Sequence, residues 1–139
     1  MITNVNMSRD AKMRYTNIVT LDCESTSAST VLWSAVHKIE LIKLQVRCST
    51  VQTGTTVIQL GTAADPDAYA TLTVPNASAA GTLLVVGQAE ATRLIEEVVA
   101  KNTPLLLSTD GAGTGSVQAI IGYCNLDEDR MALTNQGRL

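Results

Sequence analysis

The side chains in this chain that could do chemistry are few and scattered. His37 is the only histidine among 139 residues. A serine or cysteine nucleophile needs a base beside it, so any Ser–His–acid or Cys–His arrangement would have to pass through His37. Nothing in the sequence puts a nucleophile beside its imidazole, and it immediately precedes a strongly strand-like run, KIELIKLQVRCS. It reads as a structural or edge-strand histidine. A metal site built from several histidines is excluded by the count. Cys23, Cys48 and Cys124 are odd in number and far apart. That pattern fits neither a disulfide framework nor a zinc site and points to reduced, buried thiols.

The carboxylates are no more suggestive. Asp65 and Asp67 flank Pro66, and Asp110 adjoins a glycine-rich loop. Oxygen ligands on loops can hold calcium weakly. Asp–Pro is also an ordinary turn opener, and the turn is the preferred reading. Asp127, Glu128 and Asp129 look like a solvated face at the start of a tail. Acid–base work by a carboxylate pair needs burial to shift one pKa, and nothing in the sequence marks a buried acidic residue. The expectation is a protein with no catalytic residues, no metal and no cofactor, hence not an enzyme.

The elements around these residues carry more information. In PLLLSTDGAGTGSVQAIIGY, residues 104–123, two apolar runs flank Gly111, Gly113 and Gly115. A phosphate-binding loop would need a helix after the glycines. Here a β-branched segment follows, with Val117, Ala119, Ile121 and Tyr123 on one face, so the expectation is a β-hairpin. In residues 38–49, Ile39 and Leu41 share one phase, and Ile42, Leu44, Val46 and Cys48 the other. A phase flip between Leu41 and Ile42 predicts a β-bulge, with Lys43, Gln45 and Arg47 on the polar side. Further strands are expected over residues 15–21, 56–60, 69–74 and 82–86, with a short apolar segment at 30–36. Trp33 in that segment is expected in the core. Residues 88–102 place Ala91, Leu94, Ile95, Val98 and Val99 at a helical period, predicting one short amphipathic helix with a strand as the alternative. Glu97 would then pair with Arg93 and Lys101 on its surface.

Composition supports an all-β chain. There is no Phe, one Trp and three Tyr, and charged residues make up 17%. Aliphatic side chains must therefore fill the core, and many small β-branched residues with few charges suit stacked antiparallel sheets. So low a surface charge also suits a face covered by another subunit. The net charge of −3 argues against nucleic acid as a partner. No apolar run approaches the roughly 18 residues of a membrane span. The first residues lack the apolar core of a secretory signal, so synthesis in the cytoplasm is expected. Three parts are expected: an arm at 1–14, a β-sandwich at 15–125 and a polar tail at 126–139. Arg9, Lys12 and Arg14, abutting Tyr15, make the arm basic. It is either a solvated tail or a segment that orders on an acidic partner.

The succession IELIKLQVRCST, TTVIQLGTAADPDAYAT and PLLLSTDGAGTGSVQAIIGY resembles small virion proteins of tailed bacteriophages. The likeness is to capsid decoration (cement) proteins and related head-associated β-sandwich proteins, and covers residues 37–125. It implies a jelly-roll-like antiparallel β-sandwich that assembles as a homotrimer on the outer surface of a capsid. The major capsid protein would be its partner and the virion its location, after synthesis in the host bacterial cytoplasm. The arm residues Arg9, Lys12, Arg14 and Tyr15 would contact the shell. A receptor- or carbohydrate-binding module of a phage fibre or spike is the alternative.

Overall fold

The computed structural model describes residues 13–126. Ten strands are present: β1 (Arg14–Tyr15), β2 (Val19–Asp22), β3 (Ser29–Leu32), β4 (Ile39–Cys48), β5 (Thr56–Gly61), β6 (Ala70–Val74), β7 (Leu83–Gly87), β8 (Val98–Val99), β9 (Leu105–Thr109) and β10 (Ser116–Asn125). They form two antiparallel sheets. One runs β2-β10-β4-β7, with β1 also on β10 and β8 also on β4; the other runs β3-β9-β5-β6. Successive strands β2 to β5 alternate between the sheets, and β9 and β10 do so again. Eight strands in this order make a jelly roll, two Greek keys wound into a sandwich. The all-β sandwich expected from sequence is the fold.

Alternation along the strands builds the core. Leu44, Val46 and Cys48 of β4 face Ile121, Ala119 and Val117 of β10, and all six are buried. The opposite sheet contributes Ile58, Leu60, Leu72, Val74, Leu105 and Leu107. These side chains belong to one aliphatic cluster. Truncating a fully buried leucine such as Leu44 to alanine would cost about 2–5 kcal/mol.

The β-bulge lies where the phase flip puts it. Lys43 pairs with Gly122 and Leu41 with Tyr123, which leaves Ile42 as the extra residue. The segment 15–21 is instead two short strands, both on β10. Between them Thr16 is tied to Ile121, its amide donating to the Ile121 carbonyl at 3.0 Å. Its hydroxyl accepts the Ile121 amide at 3.1 Å.

Three expectations are corrected. The glycine-rich loop is not a hairpin turn, because β9 and β10 lie in different sheets. The loop is an arch between the layers, in which Gly111 and Gly115 take φ of 71° and 113°. Thr114 forms a bridge with Thr53, so the arch is tied to the chain entering β5. Composition marks a reversal there but does not say which strands it joins.

Residues 88–102 do not form the helix. The Ile95 and Glu96 amides donate to the Tyr69 carbonyl at 2.8 and 3.2 Å, and the Glu97 carbonyl accepts from Leu41 at 2.7 Å. Val99 and Val98 pair with Ile39 and Glu40. Backbone groups that a helix would bond internally are used by tertiary partners, and the strand alternative holds for Val98–Val99. Surface pairing of Glu97 with Arg93 and Lys101 at helical spacing goes with the helix.

Trp33 is not core: it is 61% exposed. It falls just past the end of β3, where the pairing with β9 is already irregular. Its indole N–H donates to Asn102 Oδ1 at 3.3 Å.

Candidate functional site

His37 is half-buried ahead of β4, and its amide donates to Ser34 Oγ at 3.0 Å. The three cysteines are reduced and buried. Burial pushes the Cys23 thiol above its ordinary value, partly offset by the neighbouring Thr56 hydroxyl. Burial alone does the same to Cys48. A raised pKa leaves less thiolate, so these are poor nucleophiles. Cys23 donates to Gln52 Oε1 at 3.2 Å.

The aspartates hold turns. Asp110 Oδ1 accepts the amides of Val57 and Ala112, both at 3.2 Å. Asp65 sits in a turn in which its amide donates to Thr62 Oγ1 at 3.1 Å. A hydrogen bond shared with Asp67 raises the Asp65 pKa. Among the described residues no group of three or more His, Cys, Asp or Glu side chains could hold a metal ion. No helix among them is long and apolar enough to cross a membrane.

A buried carboxylate does exist, contrary to the sequence reading. Glu40 is 7% exposed. Its Oε2 accepts from Gln88 Nε2 at 3.4 Å, and the Cys124 thiol lies 3.5 Å from its Oε1. Gln88 Nε2 also donates to the Leu41 carbonyl at 2.7 Å. The bulge is the cause: Ile39, Glu40 and Leu41 are all buried just before the extra residue Ile42. The phase flip was the only signal that could have revealed it.

Of the arm, Arg9 and Lys12 lie outside the described residues. Arg14 and Tyr15 form β1 against Tyr123 and Gly122. Tyr15 is 49% exposed, and Lys43 Nζ sits 5.4 Å from the centre of its ring. That separation is within cation–π range.

Tyr15 belongs to a larger surface. Strand register groups the residues on the outer side of its sheet into three rows: Thr20, Gln118, Arg47 and Leu83; Ile120, Gln45 and Val85; Tyr15 and Lys43 with the buried glycines Gly122 and Gly87. Ile18, between β1 and β2, is 65% exposed and Leu83 54% exposed. With Arg47, Gln45, Gln118 and Ile120 they line a shallow depression. Lys43 and Arg47 are the only charged residues in the rows. The opposite sheet presents Thr30, Ser108, Gln59, Thr71 and Thr73 with Val57 and Leu106. Over these three rows the first face is apolar and cationic, the row beyond them (Cys124, Glu40 and Val98) bringing in a buried carboxylate; the other face is mostly hydroxyl and amide. Apolar patches rimmed by polar groups are typical of protein-binding surfaces.

No family model matches the chain, and no curated protein matches it. Chains of solved structures do match, two bacteriophage capsids among them. A chain of the cyanophage Pam1 capsid asymmetric unit is 15% identical, with a TM-score of 0.52 over 80% of this chain and 83% of that one. A chain of the acidic-stable capsid of Helicobacter pylori bacteriophage KHP30 is 8% identical, with a TM-score of 0.55 over 80% of this chain and 86% of that one. The jelly roll described above is therefore a fold that this chain shares, along most of its length, with chains of two bacteriophage capsids.

Proposed function

We propose that the protein is a structural component of a phage virion that binds the outer surface of the capsid and stabilises it by bridging capsomers. The observation that carries this reading is the fold shared with capsid chains over 80% of this chain and more than 80% of theirs. The apolar, cationic sheet face supports it, since a soluble monomer rarely leaves so many aliphatic side chains together in water. The major capsid protein is the partner, and the active form is a homotrimer. Copies matched to local three-fold positions would multiply weak contacts by avidity. The mechanism is mechanical: each bridge adds contacts that internal pressure must break. Residues 1–12 and 127–139 act as arms reaching beyond the sandwich, and Arg9 and Lys12, with Arg14 and Tyr15 of β1, lie on the shell.

The test is co-sedimentation with heads of the phage that encodes the protein, assembled without it. Pelleting with the heads, together with a higher temperature of genome release, is the expected result. Heads that neither bind the protein nor gain stability overturn the proposal. Replacing Arg9, Lys12 and Arg14 by Ser should abolish binding if the arm docks. One observation favours the second reading, a receptor- or carbohydrate-binding module of a fibre or spike: Trp33 is exposed on a loop, where an indole can stack on a sugar ring. Binding to a glycan array that is lost in Trp33→Ala would select it.

A further inference from the structure

We infer that the outer face of the β2-β10-β4-β7 sheet is a self-association surface, and that its occupant is the ribbon of residues 95–98 of a second copy of this chain. The inference rests on the proposed reading of the chain as an assembling protein and names the two surfaces that would meet. On the receiving side, Ile18 and Leu83 are 65% and 54% exposed. The charged residues in its rows, Lys43 and Arg47, have the same sign. Two such faces meeting about a two-fold axis would bring like charges together while burying them, which is costly. The complement must be apolar and acidic instead.

The chain carries such a complement. Ile95 and Val98 are 61% and 42% exposed and bracket the exposed Glu96 and Glu97. The ribbon is held rigidly, its Ile95 and Glu96 amides on the Tyr69 carbonyl and its Glu97 carbonyl on the Leu41 amide. The Glu96 carboxylate also accepts the amides of Glu97 and Val98, at 3.1 and 3.3 Å. Its charge is felt locally, since Glu96 helps to raise the Tyr69 pKa after burial. The nearest cations in sequence, Arg93 and Lys101, fall outside the ribbon.

The ribbon joins the sheet at one end of β4, where Val98 pairs with Glu40, and the receiving face centres on the other end, where Arg47 pairs with Leu83, so the contact is heterologous. Repeated from copy to copy, it closes into a ring when the rotation permits. The pre-ordered ribbon would lose little conformational entropy on docking.

The test is solution mass by light scattering on the full chain, over a range of concentrations. The wild type should form a closed oligomer. Arg47→Glu and Glu97→Arg should each weaken it by at least about tenfold in dissociation constant, and the double variant should restore it. Both sites are exposed, so circular dichroism should report unchanged folding. A monomeric wild type at every concentration overturns the inference. So does an oligomer indifferent to both single changes and to Leu83→Asp, which would place the interface elsewhere. Association that appears only after deletion of residues 1–12 also overturns it, by making the chain's own arm the occupant. Head binding is scored separately. A monomer that binds heads overturns this inference alone, whereas an oligomer that leaves heads unbound overturns the capsid-binding reading alone.

Discussion

Gly113 rests against Thr56 so closely that a Cβ on the glycine would overlap the threonine hydroxyl. Thr56 is fully buried, and its hydroxyl has no hydrogen-bond partner of regular geometry. This contact seats the inter-sheet arch on the start of β5. Gly113→Ala should therefore cost about 1–3 kcal/mol by overpacking. Thr56→Ala in the same chain should return part of that loss. Urea unfolding of the two single variants and the double variant measures the coupling, and simple additivity would remove the contact from the account.

Gln52 ties the same arch to the core. It is 1% exposed, and its Nε2 donates to the carbonyls of Thr50 and Ser116 at 3.1 and 3.2 Å. Its Oε1 accepts from Cys23. Gln52→Ala would leave these groups short of partners and open a cavity, so a loss of about 2–4 kcal/mol is expected. A midpoint of thermal unfolding unchanged from wild type would contradict the network.

Stability should fall at alkaline pH. Cys23 and Cys48 have pKa values raised above the ordinary 9.0, and that of Tyr69 is raised above the ordinary 10.0 by burial and then by Glu96. Between each ordinary value and its raised folded value, the unfolded chain has lost the proton that the folded chain keeps. Stability contributed by these groups is intact below about pH 9 and is lost as pH rises through the folded values. Unfolding free energies from about pH 7 to about pH 11, under reductant, should decline less steeply in Cys48→Ala than in wild type. Parallel curves would contradict burial of that thiol.

Trp33 is the single tryptophan and projects from the loop after β3. Its emission should resemble that of free indole, with ready quenching by iodide and little change on unfolding. Trp33→Ala should cost no more than about 0.5 kcal/mol, the usual limit for exposed sites. A blue-shifted, protected emission in the monomeric protein would place the indole in contacts that the fold does not show.

Sequence alone determined the class of this protein and much of its local structure. The lack of Phe and the alternation of aliphatic and polar residues committed it to stacked sheets. One out-of-phase residue in IELIKLQVRC predicted the bulge at Ile42. Scattered, buried thiols and turn-type aspartates were legible. These are properties of short windows, where side-chain direction follows backbone period. Only tertiary structure decided where the strands went. Loop chemistry in residues 110–115 is equally good for a hairpin and for an arch, and the choice rests on β3, β4 and β5, distant in sequence. Residues 88–102 carry a helical period, but Tyr69 and Leu41 bind their backbone groups and draw them into an extended ribbon. Exposure of Trp33 follows from a strand end, which residue type does not report, and burial of Glu40 follows from the bulge, whose packing against Gln88 and Cys124 only the fold shows. The apolar, cationic face is likewise invisible in order of sequence, because Ile18, Leu83, Arg47 and Ile120 meet only when four strands are laid side by side.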